Sequence, residues 1–92
     1  MAERGRYELS IAPPARRALA SELPEAVAAA VIEFVTGSLL ERPRVVGKPL
    51  RGELAGVWSA RRGTYRVLYR ILEESNEVVV LGVQHRRDAY RS

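Results

Sequence analysis

The sequence predicts a small α+β domain in which two helices pack on one face of a four-stranded, mainly antiparallel sheet. Three observations support this. Apolar and polar residues alternate near the N-terminus, two later segments repeat apolar residues at helical spacing, and three alternating segments then follow in close succession. The predicted order is β-α-α-β-β-β with a short C-terminal tail. A chain of 92 residues leaves room for a single domain spanning 1–92.

The N-terminal half contains the first strand and both helices. Tyr7, Leu9 and Ile11 alternate with polar residues in RYELSIAP, which is the period of a half-buried strand, and the prolines that follow end it. Helical spacing in PARRALASEL predicts a short helix that Pro24 breaks. In PEAVAAAVIEFVTG, apolar residues at i, i+3, i+4, i+7 and i+8 from Val27 predict an amphipathic helix.

The C-terminal half contains the rest of the sheet. A long connection, SLLERPRVVGKPLRGELAG, precedes it, with a turn of helix expected at Leu39–Glu41, and connections of this length are often functional. Three strand candidates follow: VWSARR, TYRVLYRIL and EVVVLGVQH. Because short turns join them, neighbouring strands are predicted to be antiparallel. In the middle strand, alternation turns Tyr65 and Tyr69 towards the helices and Arg66 and Arg70 away from them.

The charge distribution indicates an anionic partner. The net charge is +4 and the pI is about 10.1. Between Arg42 and Arg70 the chain has eight basic residues and one acid, Glu53, which gives a local balance of +7. Nucleic acid is the first candidate for such a positive field. The alternative interpretation is a solvated, arginine-rich surface that binds nothing.

The composition also excludes several kinds of chemistry. With no cysteine and a single histidine, His85, the chain has no disulfide framework and no ordinary zinc or iron site, so no cofactor is expected. The glycines form neither a P-loop nor a dinucleotide fingerprint. No apolar stretch approaches the roughly 20 residues of a membrane span, and no secretory signal is recognisable. We therefore expect a cytoplasmic protein without a membrane partner.

Two segments closely resemble the RelE toxins of bacterial and archaeal toxin–antitoxin pairs: GKPLRGELAGVWSARRGTYRVLYRI and VQHRRDAYR. The shared motifs are a Gly-Lys-Pro-Leu loop, a Gly-x-Trp strand start and a Gly-x-Tyr-Arg-Val-x-Tyr strand. Length, element order and a Leu-Pro between the helices extend the resemblance over nearly the whole chain. It implies a ribosome-dependent, metal-independent endoribonuclease. Such a toxin cuts mRNA in the ribosomal A site, through attack of the message's own 2′-hydroxyl on the adjacent phosphate.

The resemblance also implies site residues and partners. Arg61 and Arg66 match strands that line the family's cleft, Arg86 matches the arginine that meets the scissile phosphate, and Tyr90 matches a tyrosine beside the reacting nucleotide. Further contacts with RNA or the ribosome are expected from Lys48, Arg51, Arg62, His85 and Arg87. The expected partners are the ribosome with mRNA and a cognate antitoxin protein. Operator DNA is expected to be contacted only indirectly, through the antitoxin complex.

One position departs from the family pattern. The family often has a basic residue two positions before Arg61, where this chain has Ser59, so the identity of the general base stays open. Two rivals also stay open: a ParE-like toxin that inhibits DNA gyrase, and a weakened toxin that acts only as an antitoxin-binding co-repressor. The joint presence of Arg61, Arg66, Arg86 and Tyr90 favours the nuclease.

The residue types agree with an electrostatic catalyst. Arginine matches two phosphate oxygens with its planar fork. It is a poor proton acceptor, because its pKa lies above about 12. We therefore expect the ribosome to orient the message while the arginines bind and stabilise the reacting phosphate.

Overall fold

The sheet has five strands, one more than the sequence predicted. The computed structural model describes residues 6–85. The strands are β1 (Glu8–Ile11), β2 (Lys48–Pro49), β3 (Trp58–Arg62), β4 (Tyr65–Leu72) and β5 (Glu77–His85). Their order across the sheet is β1-β5-β4-β3-β2; β1 runs parallel to β5 and all other neighbours are antiparallel. The prediction of four strands was wrong because β2 has only two residues, one of them proline, and so shows no alternation.

The helical segments begin where the sequence favours a helix start. They are α1 (Pro13–Arg17) with a π-helical continuation (Ala18–Glu22), α2 (Glu25–Val35), α3 (Ser38–Glu41), α4 (Pro43–Val46) and a 3-10 turn (Gly52–Leu54). Prolines open α1 and α4, where a helix needs no backbone donor. Glu25 in the first turn of α2 complements the helix dipole. The helical turn expected at Leu39–Glu41 is confirmed as part of α3, and the long connection proves to be largely structured.

One hydrophobic cluster joins the helices to one face of the sheet. From α2 it includes Val31, Phe34 and Val35, and from β4 it includes Val67 and Tyr69. Burying side chains of this size stabilises the fold by about 1.5–3 kcal/mol each. A shift of one residue in strand register would move every such side chain to the opposite face. Burial therefore fixes which side chains lie on the other face.

Tyr69 anchors the connection that leads into β2. Its side chain is fully buried, and its hydroxyl donates to the carbonyl oxygen of Pro43 at 2.6 Å. Burial raises the pKa of Tyr69 to about 12, partly opposed by the positive charge of Arg62. Gly47 passes close by: a Cβ there would lie 2.8 Å from the Ser59 carbonyl oxygen and closer still to the Tyr69 hydroxyl. Glycine therefore lets β2 reach its place beside β3.

A small polar cluster ties three segments together near the β4–β5 turn. Arg44 of α4 forms an ion pair with Glu73, the one ion pair within residues 6–85, and donates to the Tyr7 hydroxyl at 3.0 Å. Both charged side chains are about half exposed, so the ion pair adds at most about 1 kcal/mol. No helix in this part of the chain is long and apolar enough to cross a membrane.

Candidate nucleic-acid interface

The sheet face turned away from the core carries a group of basic side chains. Tyr65, Val67 and Tyr69 of β4 are buried on the core side, so the residues that alternate with them lie on the opposite side. Strand register extends this assignment across the sheet. We call this surface the arginine face; its members in the rows that carry the cations are Lys48, Ser59, Arg61, Arg66, Leu68, Arg70, Val79, Gly82 and Gln84. Leu72 and Glu77 continue the same face towards the β4–β5 turn.

The members of the arginine face form three rows across the strands. The first row is Arg61, Arg66 and Gln84; the second is Lys48, Ser59, Leu68 and Gly82; the third pairs Arg70 with Val79. Directly opposed residues have Cβ atoms about 4.5–5.5 Å apart. Successive rows are about 7 Å apart, because each strand residue advances the chain by about 3.3 Å. The cations of this face therefore lie in three successive rows that together span about 14 Å along the strands.

Arg61 and Arg66 are direct cross-strand partners. Arg61 is exposed and Arg66 is half-buried, and like charges at opposed positions destabilise a sheet. Within residues 6–85, neither has a carboxylate within 4 Å. A bound anion would remove this repulsion, and a phosphate group has the oxygen geometry that two guanidinium forks match. The arrangement is thus suited to hold a phosphate between β3 and β4.

Lys48 lies on the same face, directly opposite Ser59. Lys48 is exposed. Its strand partner, Ser59, occupies the position where the RelE toxins that this sequence resembles often have a basic residue. Arg51 is also exposed, but it lies in the loop between β2 and the 3-10 turn. Of these two predicted contact residues, only Lys48 is aligned with the cross-strand rows.

Arg62 and His85 lie on the other side of the sheet. The Arg62 guanidinium carbon is 4.6 Å from the centroid of the Phe34 ring in α2, a cation–π contact worth about 0.5–1 kcal/mol at an exposed site. His85 is paired with Tyr65, whose side chain is buried on the core side. The structure therefore brings Arg61, Arg66 and Lys48 together, and it does not place Arg62 or His85 beside them. Arg86, Arg87 and Tyr90 lie outside the described residues.

Arg70 is a member of the arginine face that was not among the predicted site residues. Its Nη1 donates to the carbonyl oxygen of Gly56 at 3.4 Å. Gly56 has φ +96, and a Cβ there would lie 2.9 Å from that Nη1. Arg70 shares its strand and parity with Arg66, and this is the sequence signal that could have identified it.

The chemistry available on the arginine face is electrostatic. Arginine and lysine side chains can bind phosphate and stabilise added negative charge. Glu8 and Glu77 pair with each other on β1 and β5, next to the β4–β5 turn and beyond the rows that carry the cations. Within residues 6–85, no three histidine or carboxylate side chains lie close enough together to hold a metal ion.

Sequence comparison connects this arrangement to a known family. The profile described as "ParE toxin of type II toxin-antitoxin system, parDE" matches residues 9–90. The chain belongs to the RelE/ParE family of toxins. Within this toxin family it is 55% identical to Toxin RelG of Mycobacterium tuberculosis over 85 residues, which are 92% of this chain and 97% of that protein. It is 46% identical to Toxin RelE of the same organism, again over 92% of this chain and over 87% of that protein.

Solved structures of family toxins have the same fold. The toxin–antitoxin complex RelBE from Mycobacterium tuberculosis contains a chain that matches this toxin with a TM-score of 0.85 and 54% sequence identity, covering 88% of this chain and 99% of the other. A chain of the intact Escherichia coli RelBE complex matches with a TM-score of 0.72 and 23% identity, covering 86% and 95%. This second likeness is one of fold alone. The predicted α+β class and the resemblance to RelE toxins are therefore confirmed.

Proposed function

We propose that this toxin is a ribosome-dependent endoribonuclease that cleaves mRNA in the ribosomal A site and thereby inhibits translation. The observation that carries the proposal is the opposed pair of Arg61 and Arg66 on the arginine face. Within residues 6–85 no carboxylate neutralises either guanidinium. Two repelling guanidinium groups with Lys48 and Arg70 in the adjoining rows favour a polyanion as ligand. The family relatives named RelE and RelG make mRNA the first candidate for that ligand.

The division of labour in the reaction follows from the residue types. The 2′-oxygen of one nucleotide attacks the adjacent phosphorus, the bond to the 5′-oxygen of the next nucleotide breaks, and a 2′,3′-cyclic phosphate and a 5′-hydroxyl result. Arg61 and Arg66, with Arg86 from the C-terminal tail, stabilise the extra negative charge on the phosphorane. The 2′-hydroxyl must lose a proton and the leaving 5′-oxygen must gain one. Arginine serves these two transfers poorly, so Tyr90 takes part beside the reacting nucleotide and the ribosome supplies the in-line geometry.

The proposal includes the partners and the place of action. Family toxins have been solved in complex with RelB antitoxins, so a cognate antitoxin is expected to neutralise this chain. The antitoxin segment that binds basic and apolar surface should be acidic and amphipathic. Operator DNA would be reached only through the toxin–antitoxin complex. A toxin that acts on translating ribosomes would work in the cytoplasm.

Single-turnover cleavage on ribosomes programmed with a defined message tests the proposal. The parent protein should cut the programmed message and degrade the same RNA slowly when it is free. Arg86→Ala should lower the rate 10²–10³-fold, because losing one stabiliser of the developing charge costs roughly 3–4 kcal/mol. Arg86→Lys should recover only part of the rate, because an ammonium keeps the charge but not the fork.

Two variants complete this experiment. Tyr90→Phe leaves the rate nearly unchanged if the ring only stacks on a base, and lowers it if the hydroxyl shares a proton. Arg17→Ala, at an exposed position on α1, is the matched control and should cut like the parent. Circular dichroism checks folding in each case. A rate for Arg86→Ala within threefold of the parent would remove Arg86 from the active site.

The second candidate is inhibition of DNA gyrase, favoured by the ParE name of the matching family profile. A gyrase inhibitor would leave programmed message intact and would cause double-strand breaks or loss of supercoiling in the presence of gyrase. Both activities can be measured on the same protein preparation. Message cleavage without an effect on gyrase supports the nuclease, and the reverse result supports the second candidate.

A further inference from the structure

Gly82 is a glycine that the described fold does not require. It lies on the arginine face of β5, opposite Leu68 of β4 and beyond the last β1–β5 pair, Ile11 with Val80. Its φ lies outside the left-handed range, and within residues 6–85 no heavy atom lies within 4 Å of the position of a Cβ. Glycine inside a strand is unfavourable, because it loses more conformational entropy on folding and packs no side chain. Such a glycine often marks a bulge or a place where a ligand or another backbone approaches closely.

The positions around Gly82 indicate the chemistry of that molecule. Arg61 and Arg66 occupy the row on one side and Arg70 the row on the other. Arg66 and Arg70 are four residues apart on β4, which is about 13 Å. No acidic residue belongs to these three rows, and the residue directly beside Gly82 is the uncharged Leu68. The Gly82–Leu68 pair is thus a neutral stretch between two positive rows, with Lys48 at the β2 end of the same row. Such a stretch suits a base or sugar that lies between phosphate groups of a single nucleic-acid strand.

The pairing of β4 with β5 is irregular next to Gly82. The register between β4 and β5 shifts between Leu68 and Tyr69, so that Leu81 is an extra residue just before Gly82. Bulges of this kind are common beside functional sites, where they change the direction of a strand and its side chains. Arg70 also donates a long hydrogen bond, 3.4 Å, from Nη1 to the carbonyl oxygen of Gly56.

We propose that the surface over Gly82 receives a short segment of single-stranded RNA, with one phosphate bound by Arg61 and Arg66 and a neighbouring phosphate further along the strand bound by Arg70. This inference rests on the proposed function, which supplies RNA as the ligand. It adds Gly82 and Arg70 as positioning residues for the cleavage reaction. The missing side chain at Gly82 lets the base or ribose lie against Leu68 and the strand backbone. A side chain at that position would lift the RNA segment and move the scissile phosphate away from Arg61 and Arg66.

Gly82→Val gives the sharper test, because function and stability should respond in opposite directions. Valine favours strands and has room for its Cβ, so thermal unfolding should occur at the same or a higher temperature than in the parent. The single-turnover rate of cleavage of programmed message should be at least tenfold lower for Gly82→Val than for the parent. The rate for Gly82→Ala should lie between those of the parent and Gly82→Val. Ala29→Val, an exposed position on α2, is the matched control and should cut at the parent rate.

Arg70→Gln tests the neighbouring phosphate. The half-saturating concentration of programmed ribosomes should rise about tenfold, and the log–log dependence of affinity on salt should lose roughly one unit of slope. Arg70→Lys should restore the slope, because it keeps the charge. Arg17→Gln, exposed on α1, should change neither quantity.

The outcomes separate this inference from the proposed function. If the parent protein does not cut programmed message, the proposed function is wrong. If the parent cuts but Gly82→Val cuts within twofold of it, the RNA does not lie over Gly82. If Gly82→Val unfolds at a lower temperature than the parent, the fold itself needs the glycine and the inference fails. An unchanged salt slope for Arg70→Gln overturns the role of Arg70.

Discussion

The repulsion between Arg61 and Arg66 should make the free toxin less stable than a variant that lacks one of the two charges. The two positions are opposed on β3 and β4 and, within residues 6–85, have no carboxylate partner. Taking the charge centres to be about 6 Å apart, close to the Cβ spacing of opposed residues, gives a repulsion of roughly 0.7 kcal/mol at the dielectric constant of water and roughly 3 kcal/mol at an effective value of about 20. Because Arg61 is exposed, a value of about 0.5–1 kcal/mol is expected at low salt.

A double-mutant cycle measures this repulsion directly. Arg61→Gln, Arg66→Gln and the double variant keep part of each side-chain stem, and urea unfolding gives the free energy of unfolding without adding ions. Each single variant should gain most of the stability that the double variant gains. The coupling should disappear in about 1 M salt, where the screening length is about 3 Å. The same single variants should lose cleavage activity.

A cycle without coupling at low salt would refute this reasoning, as would coupling that survives in about 1 M salt. Either result would mean that the two guanidinium groups do not repel each other across the strands. The arginine face would then lose the feature that favours an anionic ligand. Stability gained together with activity lost is the pattern expected of a site built for its ligand rather than for the free protein.

The pKa of Tyr69 is raised to about 12, above the value of about 10 for an unfolded chain, so its contribution to stability is complete below pH about 10 and is lost between pH about 10 and 12. Over that range, urea unfolding should show a fall of roughly 2 kcal/mol in the free energy of unfolding that Tyr69→Phe lacks. Equal falls in the two proteins would contradict the assignment. Gly47→Ala should destabilise the fold by about 1–3 kcal/mol in the same assay, because its Cβ overlaps the Tyr69 hydroxyl, and a neutral effect would show that β2 can move away. Lys48→Ala and Arg51→Ala should each reduce the slope of log affinity for programmed ribosomes against log salt concentration by roughly one, and should leave the single-turnover rate unchanged. An unchanged slope would remove that residue from the contact surface.

The part of the sheet that carries the arginine face was predictable because one side of each strand is buried. Alternation in β4 separates Tyr65 and Tyr69 from Arg66 and Arg70, and only one register buries the apolar set. The turn between β3 and β4 has two residues, beginning with Gly63 at φ +59, which suits a tight hairpin. A two-residue turn fixes the pairing on either side of it. The local sequence of the hairpin thus determines that Arg61 and Arg66 lie opposite each other.

The features that the sequence did not predict depend on contacts between distant segments. β2 forms because Gly47 fits beside Tyr69, and a two-residue strand carries no periodic signal of its own. The contact of Arg62 with Phe34 joins β3 to α2, so no local pattern indicates it. The bulge before Gly82 depends on how β4 and β5 accommodate each other. Each of these features changes which side chains reach the arginine face.

Primer extension on a translated message, after induction of this toxin without an antitoxin, tests the central claim most directly. If the arginine face acts on mRNA in the ribosomal A site, the cuts should fall in phase with the codons of the translated frame. They should disappear from the same transcript when its start codon is removed, and they should become much weaker with Arg66→Ala or Arg86→Ala. Intact message together with gyrase-dependent DNA breaks would contradict the account.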